Sequence, residues 1–166
     1  MGVVVCSLKW DAAQDGAQKI TYDRDGYHLV RFPYGEDQES YDPWGMHSPA
    51  KGGRFPDAGS GLIHPSHEGW GVLSALVFWE PRSGAKEYRA RFVRNPLTGA
   101  YDSTATTDSA ATGGGQYRSY MWQMFVHKGT PVGLKISARG SGDSRLTVPL
   151  MHAQFKLAIH TEVLTP

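Results

Sequence analysis

Along several stretches of the chain, apolar and polar residues alternate with period two, and nowhere is a helical period sustained. In segment 153–163, Ala153, Phe155, Leu157, Ile159 and Val163 fall on one side, with Gln154, Lys156, His160 and Glu162 on the other. Segment 132–138 sets Val132, Leu134, Ile136 and Ala138 against Lys135 and Ser137. Segment 87–93 sets Tyr88, Ala90 and Phe92 against Glu87, Arg89 and Arg91. Successive side chains of a strand point to opposite faces, so this pattern predicts antiparallel strands with one buried and one wet side.

Two segments break the alternation. In 72–79, Leu73, Ala75, Val77 and Trp79 are backed by Val72, Leu76 and Phe78; in 120–126, Tyr120, Trp122, Met124 and Val126 are backed by Met121 and Phe125. A strand apolar on both faces needs cover on both, from its own fold or from a partner. Ile20 and Tyr22 lead through Asp25-Gly26 into His28, Val30 and Phe32, a hairpin signal because such a turn needs positive φ. The Gly-, Pro-, Asp- and His-rich stretch 33–71 reads as a long irregular region with one short strand. The small polar run 103–115 reads as a flexible loop. Nothing divides the chain, so residues 18–166 are expected to form one all-β antiparallel sandwich. Residues 1–17, with Val3, Val4 and Val5 in a row, are either an added edge strand or an arm that docks on a neighbour by strand addition; the sequence leaves both open.

Composition sharpens this only in places. The 20 glycines and 10 prolines in 166 residues suit many turns between short strands. A formal net charge of +1 gives no general attraction to nucleic acid or anionic membranes, so neither is expected as a partner. One cysteine, Cys6, rules out an intramolecular disulfide. The apolar start through Leu8 is too short to cross a bilayer and lacks a basic flank. Cys6 stands where a myristoylation motif needs Ser or Thr, so a chain made in a cytoplasm is expected.

No constellation points to catalysis. His64 and His67, with His47, lack the further ligands of a zinc site. Asp37, Glu39 and Asp42 match no defined calcium loop. Gly113-Gly114-Gly115 lacks the Lys-Ser/Thr of a phosphate loop, and no Gly-x-Ser-x-Gly elbow is present. No metal, cofactor or enzymatic activity is therefore expected. Arg89 and Arg91 form a small positive strip suited to an acidic partner, while Trp44 and Trp70 in Gly-rich stretches could stack on a ligand such as a sugar.

The order of elements carries a family likeness. Tyr41-Asp42-Pro43-Trp44-Gly45-Met46-His47 is followed by a Gly/Pro-rich stretch, Pro65, Gly69-Trp70-Gly71 and the apolar strand Val72–Trp79. This resembles the trimeric jelly roll shared by tumour necrosis factor and complement globular heads. Glu87–Arg94, the hairpin within Gln123–Ile136 around His127-Lys128-Gly129, and Phe155–Ile159 look like its later strands. Gly129-Thr130 stands where that family has Gly-Asp, and Gly69-Trp70 where it has Gly-x-Tyr. The Tyr41–Trp79 stretch further resembles capsid-surface and tail proteins of phages that infect actinobacteria. The resemblance, over residues 18–165, implies a homotrimer with Trp79, Tyr120, Trp122 and Phe125 at its interface. It also implies a capsid decoration (cement) protein on the virion exterior, bound to the major capsid protein or another virion protein through Val3, Val4, Val5, Arg89 and Arg91. The alternative it leaves is a receptor- or glycan-binding module of a phage tail or host-recognition structure, using Trp44 and Trp70.

Overall fold

A computed structural model describes residues 2–161, so Met1 and the predicted strand end at Glu162 and Val163 lie outside the described residues. The elements run β1 (Gly2–Asp11), α1 (Ala12–Asp15), β2 (Gln18–Lys19), β3 (His28–Leu29), α2 (Pro49–Gly52), β4 (Leu62–Ile63) and β5 (Gly69–Trp79). There follow β6 (Glu87–Arg94), β7 (Asp102–Ser103), β8 (Thr107–Ala110), β9 (Gln116–Val126), β10 (Val132–Arg139) and β11 (Pro149–Thr161). Two antiparallel sheets form. The first has the order β1-β11-β5-β9, with β2 also on β11. The second has the order β3-β10-β6-β7, with β4 on β10 and β8 on β6. The predicted all-β jelly-roll sandwich is what the chain adopts.

The inward faces of both sheets meet in one core. Leu73, Ala75 and Val77 of β5 and Phe155, Leu157 and Ile159 of β11 face Tyr88, Ala90 and Phe92 of β6 and Leu134 and Ile136 of β10. Phe155 packs between Phe32 and Phe92, with ring centroids 6.3 and 5.8 Å away. Each such side chain, fully buried, contributes about 1.5–3 kcal/mol relative to exposure. At the start of β5, Gly69 has φ 156°, and a Cβ there would lie 2.3 Å from the His160 carbonyl oxygen, so only glycine lets β5 meet β11 so closely.

One open alternative is resolved and other expectations change. The N-terminal segment is an edge strand rather than a free arm. β1 pairs with β11 over ten residues, from Gly2↔Thr161 to Asp11↔His152, and buries Val4, Cys6, Leu8 and Trp10. Among the described residues the sandwich thus includes Gly2–Asp11 as its added edge strand. The run 103–115 contributes β8 and the end of β7, both laid on β6. Finally, β10 has no wet face: Lys135, Ser137 and Arg139 are as buried as the apolar residues between them. The predicted hairpin through Asp25-Gly26 is only a turn, because β2 pairs with β11 in the first sheet and β3 with β10 in the second; this turn (Gly26 φ 79°) folds over the outer side of β10 and supplies partners. Arg139 donates to the Gly26 carbonyl at 3.1 Å and to Ser137 Oγ at 2.7 Å.

Tyr22 fastens the segment before this turn to β10. Its hydroxyl accepts from the Ala138 N–H at 3.1 Å and lies 2.8 and 2.7 Å from the Ala138 and Leu146 carbonyl oxygens, to which its single proton is donated. Tyr22→Phe leaves the Ala138 N–H without that acceptor, and a loss of about 1–3 kcal/mol is expected in urea unfolding. A loss below experimental error would mean that water reaches the site.

Candidate functional site

The outer face of the first sheet is built by register. Across β11, β5 and β9, five rows face outward: His160–Trp70–Phe125, Ala158–Val72–Gln123, Lys156–Ser74–Met121, Gln154–Leu76–Ser119 and His152–Phe78–Tyr117. β1 extends them with Val3 beside His160 and Val5 beside Ala158. Trp70, Tyr117, Met121 and Phe125 stand exposed on this face, Met121 at 65%. Phe78 and Tyr117 pair at 4.6 Å, and Phe125 meets the His127 ring edge-on at 5.2 Å. Between these aromatic ridges the small Ser74 and Ser119 leave a depression of about 360 Å³, rimmed by Leu76, Met121, Gln154 and Lys156. The β11 positions of these rows are mostly polar (His160, Lys156, Gln154, His152), so the apolar part of the face is concentrated on β5 and β9, and an exposed apolar cluster of this kind suits a contact with a partner.

The rim of the sheet continues it. β9 is the last strand of the first sheet, so its inward-pointing residues are only partly roofed. Tyr120 and Val126 reach the core, but Trp122, on the same side of the strand, remains 43% exposed. Hence β9 is apolar on both faces, and both carry exposed side chains.

Of the four residues expected at an interface, Trp122 and Phe125 lie on this surface, whereas Trp79 and Tyr120 do not. Trp79 is fully buried, stacked on Tyr88 at 4.2 Å with its indole N–H donating to the Tyr120 hydroxyl at 3.1 Å. Both belong to the core because they share the parity of Leu73, Ala75 and Val77 across the β5–β9 register. Met121 and Tyr117, not singled out in the sequence, occupy the face instead. Extending the 120–126 alternation back to residue 117 would have shown it.

The N-terminal valines divide as alternation requires: Val4 is in the core, and Val3 and Val5 are on the outer face. Arg89 and Arg91 are not a free positive strip. Arg91 bonds the Asp25 carboxylate and sits 3.8 Å from the Tyr27 ring centroid, with its side chain 12% exposed. Arg89 bonds Glu87 and lies 3.2 Å from Asp143. Trp44 and Trp70 are both exposed but apart. Trp70 donates to Gln123 at 2.9 Å on β5, while Trp44 lies in the excursion that bridges to β1 through Tyr41 and Ser7, with β11 and β1 between them.

Several of the candidate ligand groups, Asp37, Asp42 and His47 among them, are engaged locally, whereas the buried His64 Nε2 has no hydrogen-bond partner among the described residues. Asp37 accepts from the N–H groups of Glu39 and Ser40, and Asp42 from those of Met46 and His47. His47, stacked on Tyr34, donates to the Ser60 carbonyl at 2.8 Å. Among the described residues, no group of three or more His, Cys, Asp and Glu is placed to hold a metal ion. Burial, then the charge and hydrogen bonding of Asp42, push the Cys6 thiol far above its ordinary range, which leaves it a poor nucleophile.

His28 is the histidine that matters most to the fold. It is fully buried, with Nδ1 accepting from the Thr21 N–H at 3.0 Å and Nε2 donating to Gln18 at 2.8 Å. Burial, reinforced by the charge of Arg31 and opposed by the Thr21 backbone contact, brings its pKa down to about 4. Between pH 6.5 and 4 the unfolded chain therefore binds a proton that the folded chain refuses, so stability rises with pH across that window. Acidification from pH 7 to 4 should remove about 3 kcal/mol through this group. His28→Gln should flatten that part of the pH–stability curve; an unchanged slope would assign the loss to other groups.

No protein-family model matches the sequence, and no curated protein matches it either. Solved structures do match in fold. The globular domain of a zebrafish complement 1qA protein superposes with a TM-score of 0.65 at 12% identity, over 97% of this chain and 99% of that one. Murine APRIL at pH 8.0 superposes with a TM-score of 0.54 at 10% identity, over 96% of this chain and 100% of that one.

Proposed function

We propose that this protein is a non-catalytic building block that closes with two copies of itself into a homotrimer. The observation that carries the reading is the cluster of exposed Trp70, Tyr117, Met121 and Phe125 on the β5–β9 part of the outer face, with its depression, beside an edge strand that exposes Trp122. An edge-on-face contact is heterologous, and heterologous contacts satisfy every copy when they close into a ring. A ring of three is the arrangement that the resemblance implies. Sedimentation of the isolated protein should give about three times 18.2 kDa, and a stable monomer at high concentration would remove the basis of the proposal.

The finer reading is a decoration protein on the outside of a phage particle, cementing major capsid subunits. It rests on the likeness of the Tyr41–Trp79 stretch. A cement protein acts by burying surface on neighbouring subunits without chemistry, which stabilises the shell by mass action. Particles lacking it should disrupt at lower temperature or higher ionic strength than complete ones, and equal resilience would end this reading. Receptor or glycan recognition through Trp44 and Trp70 together finds less support, because the two indoles lie on different parts of the surface and Trp70 belongs to the apolar face.

A further inference from the structure

The opposite side of the molecule carries a second feature, independent of any self-assembly. On the outer face of the second sheet, the turn at 23–26 and the loop at 96–101 wall a cleft of about 500 Å³, within the ~300–1,000 Å³ of small-molecule sites. Lys135 of β10 lies at its floor, its side chain only 3% exposed. Its ammonium is 2.8 Å from Asp25 and 3.3 Å from Asp23, and 5.0 Å from the Tyr101 ring centroid. An ammonium has three donors, and two carboxylates take two of them, which leaves one without an acceptor among the described residues.

The charges cancel. Asp23 and Asp25 stand against Lys135 and Arg91, so the floor has no net charge with which to hold an ion, while its donors and acceptors are fixed in place by their mutual pairing. A further cation is disfavoured because both carboxylates already have partners, and Lys135 and Arg91 already lie near the Tyr101 ring. Above this floor Tyr101 and Leu97 offer exposed apolar surface, Thr98 adds a hydroxyl, and the exposed Arg24 guanidinium adds a solvent-screened positive charge at the rim. The paired floor suits a ligand that is uncharged, rich in hydroxyls, and apolar on one face.

We infer that this cleft binds a neutral pyranose sugar, with Tyr101 stacked on the ring and Asp23, Lys135 and Thr98 bonding its hydroxyls. The site lies on the second sheet and does not depend on the proposed trimer, whose contacts use the first.

Saturation-transfer NMR of the full chain with glucose, galactose, mannose, N-acetylglucosamine and rhamnose, each at millimolar concentration, tests it. Transfer to at least one sugar is expected, weakened roughly tenfold or more by Tyr101→Ala and by Asp23→Asn, and unchanged by Trp44→Ala. Tyr101 and Asp23 are exposed, so both variants should melt close to the parent and sediment as the parent does. No transfer to any of the five sugars, or transfer that survives Tyr101→Ala, would overturn the inference. So would binding of N-acetyl-lysine methylamide in place of every sugar, since that would show the cleft acting as an anionic site.

Discussion

Asp25→Ala is expected to cost about 3–5 kcal/mol of folding stability, the usual penalty for leaving a buried charge without its partner. The size follows from what the carboxylate separates. Lys135 and Arg91 are direct cross-strand neighbours on β10 and β6, pointing to the same side, with side chains 3% and 12% exposed. Like charges in that position repel, and Asp25, itself 11% exposed, lies between them. Burial works against its charged form, but the hydrogen bond and charge of Lys135, the charge of Arg91 and the Tyr27 N–H together hold its carboxyl below the ordinary range. Removing it strands two cations. Asp23, 45% exposed and 3.3 Å from Lys135, remains but is too solvated to replace it. The melting temperature should fall by roughly 6–20 °C, whereas Asp23→Ala should move it by only a few degrees. Comparable small losses for both variants would mean that water already screens the pair.

This network also shows where sequence reading stops. Alternation located β6, β10 and β11, and the two doubly apolar runs located β5 and β9, because each carries an apolar side that must face a core. Lys135 and Arg91 were assigned to solvent by residue type, since their partner lies 110 and 66 positions away and burial of a charge depends wholly on that partner. In β1 the alternation of Val4, Cys6, Leu8 and Trp10 against Ser7, Lys9 and Asp11 was present, but Val3 and Val5 on the outer face disguised it as an unbroken apolar run. Trp79 and Trp122 look alike in sequence. Only the β5–β9 register, together with the position of β9 at the rim, separates a core indole from an exposed one. Tyr101 lies in a loop without periodicity, so nothing along the chain could single it out.

Glutamate at the centre of the apolar face gives the other large effect. Met121→Glu places a carboxylate beside the Ser74–Ser119 depression, where the proposed neighbour would exclude water. Lys156 stands in the same row but with β5 between its strand and β9, so Ser74 rather than a cation is the immediate neighbour. An uncompensated charge in a desolvated contact costs about 3–5 kcal/mol, so association should weaken by roughly two to three orders of magnitude. The variant should then sediment near 18.2 kDa at concentrations where the parent is trimeric. Its fold should survive, because Met121 is 65% exposed and contributes little to the core. Trp122→Ala at the rim should act in the same direction if edge meets face, although Trp122 and Met121 lie on opposite sides of one strand. Trp79→Phe should do the reverse, lowering the melting temperature through the lost Tyr120 hydrogen bond while leaving the assembly intact. If Met121→Glu remained trimeric while Trp122→Ala dissociated, the depression would not be the seat of the contact. If neither changed the sedimentation of a trimeric parent, the first sheet would not be the interface, and the apolar character of β5 and β9 would need a different partner.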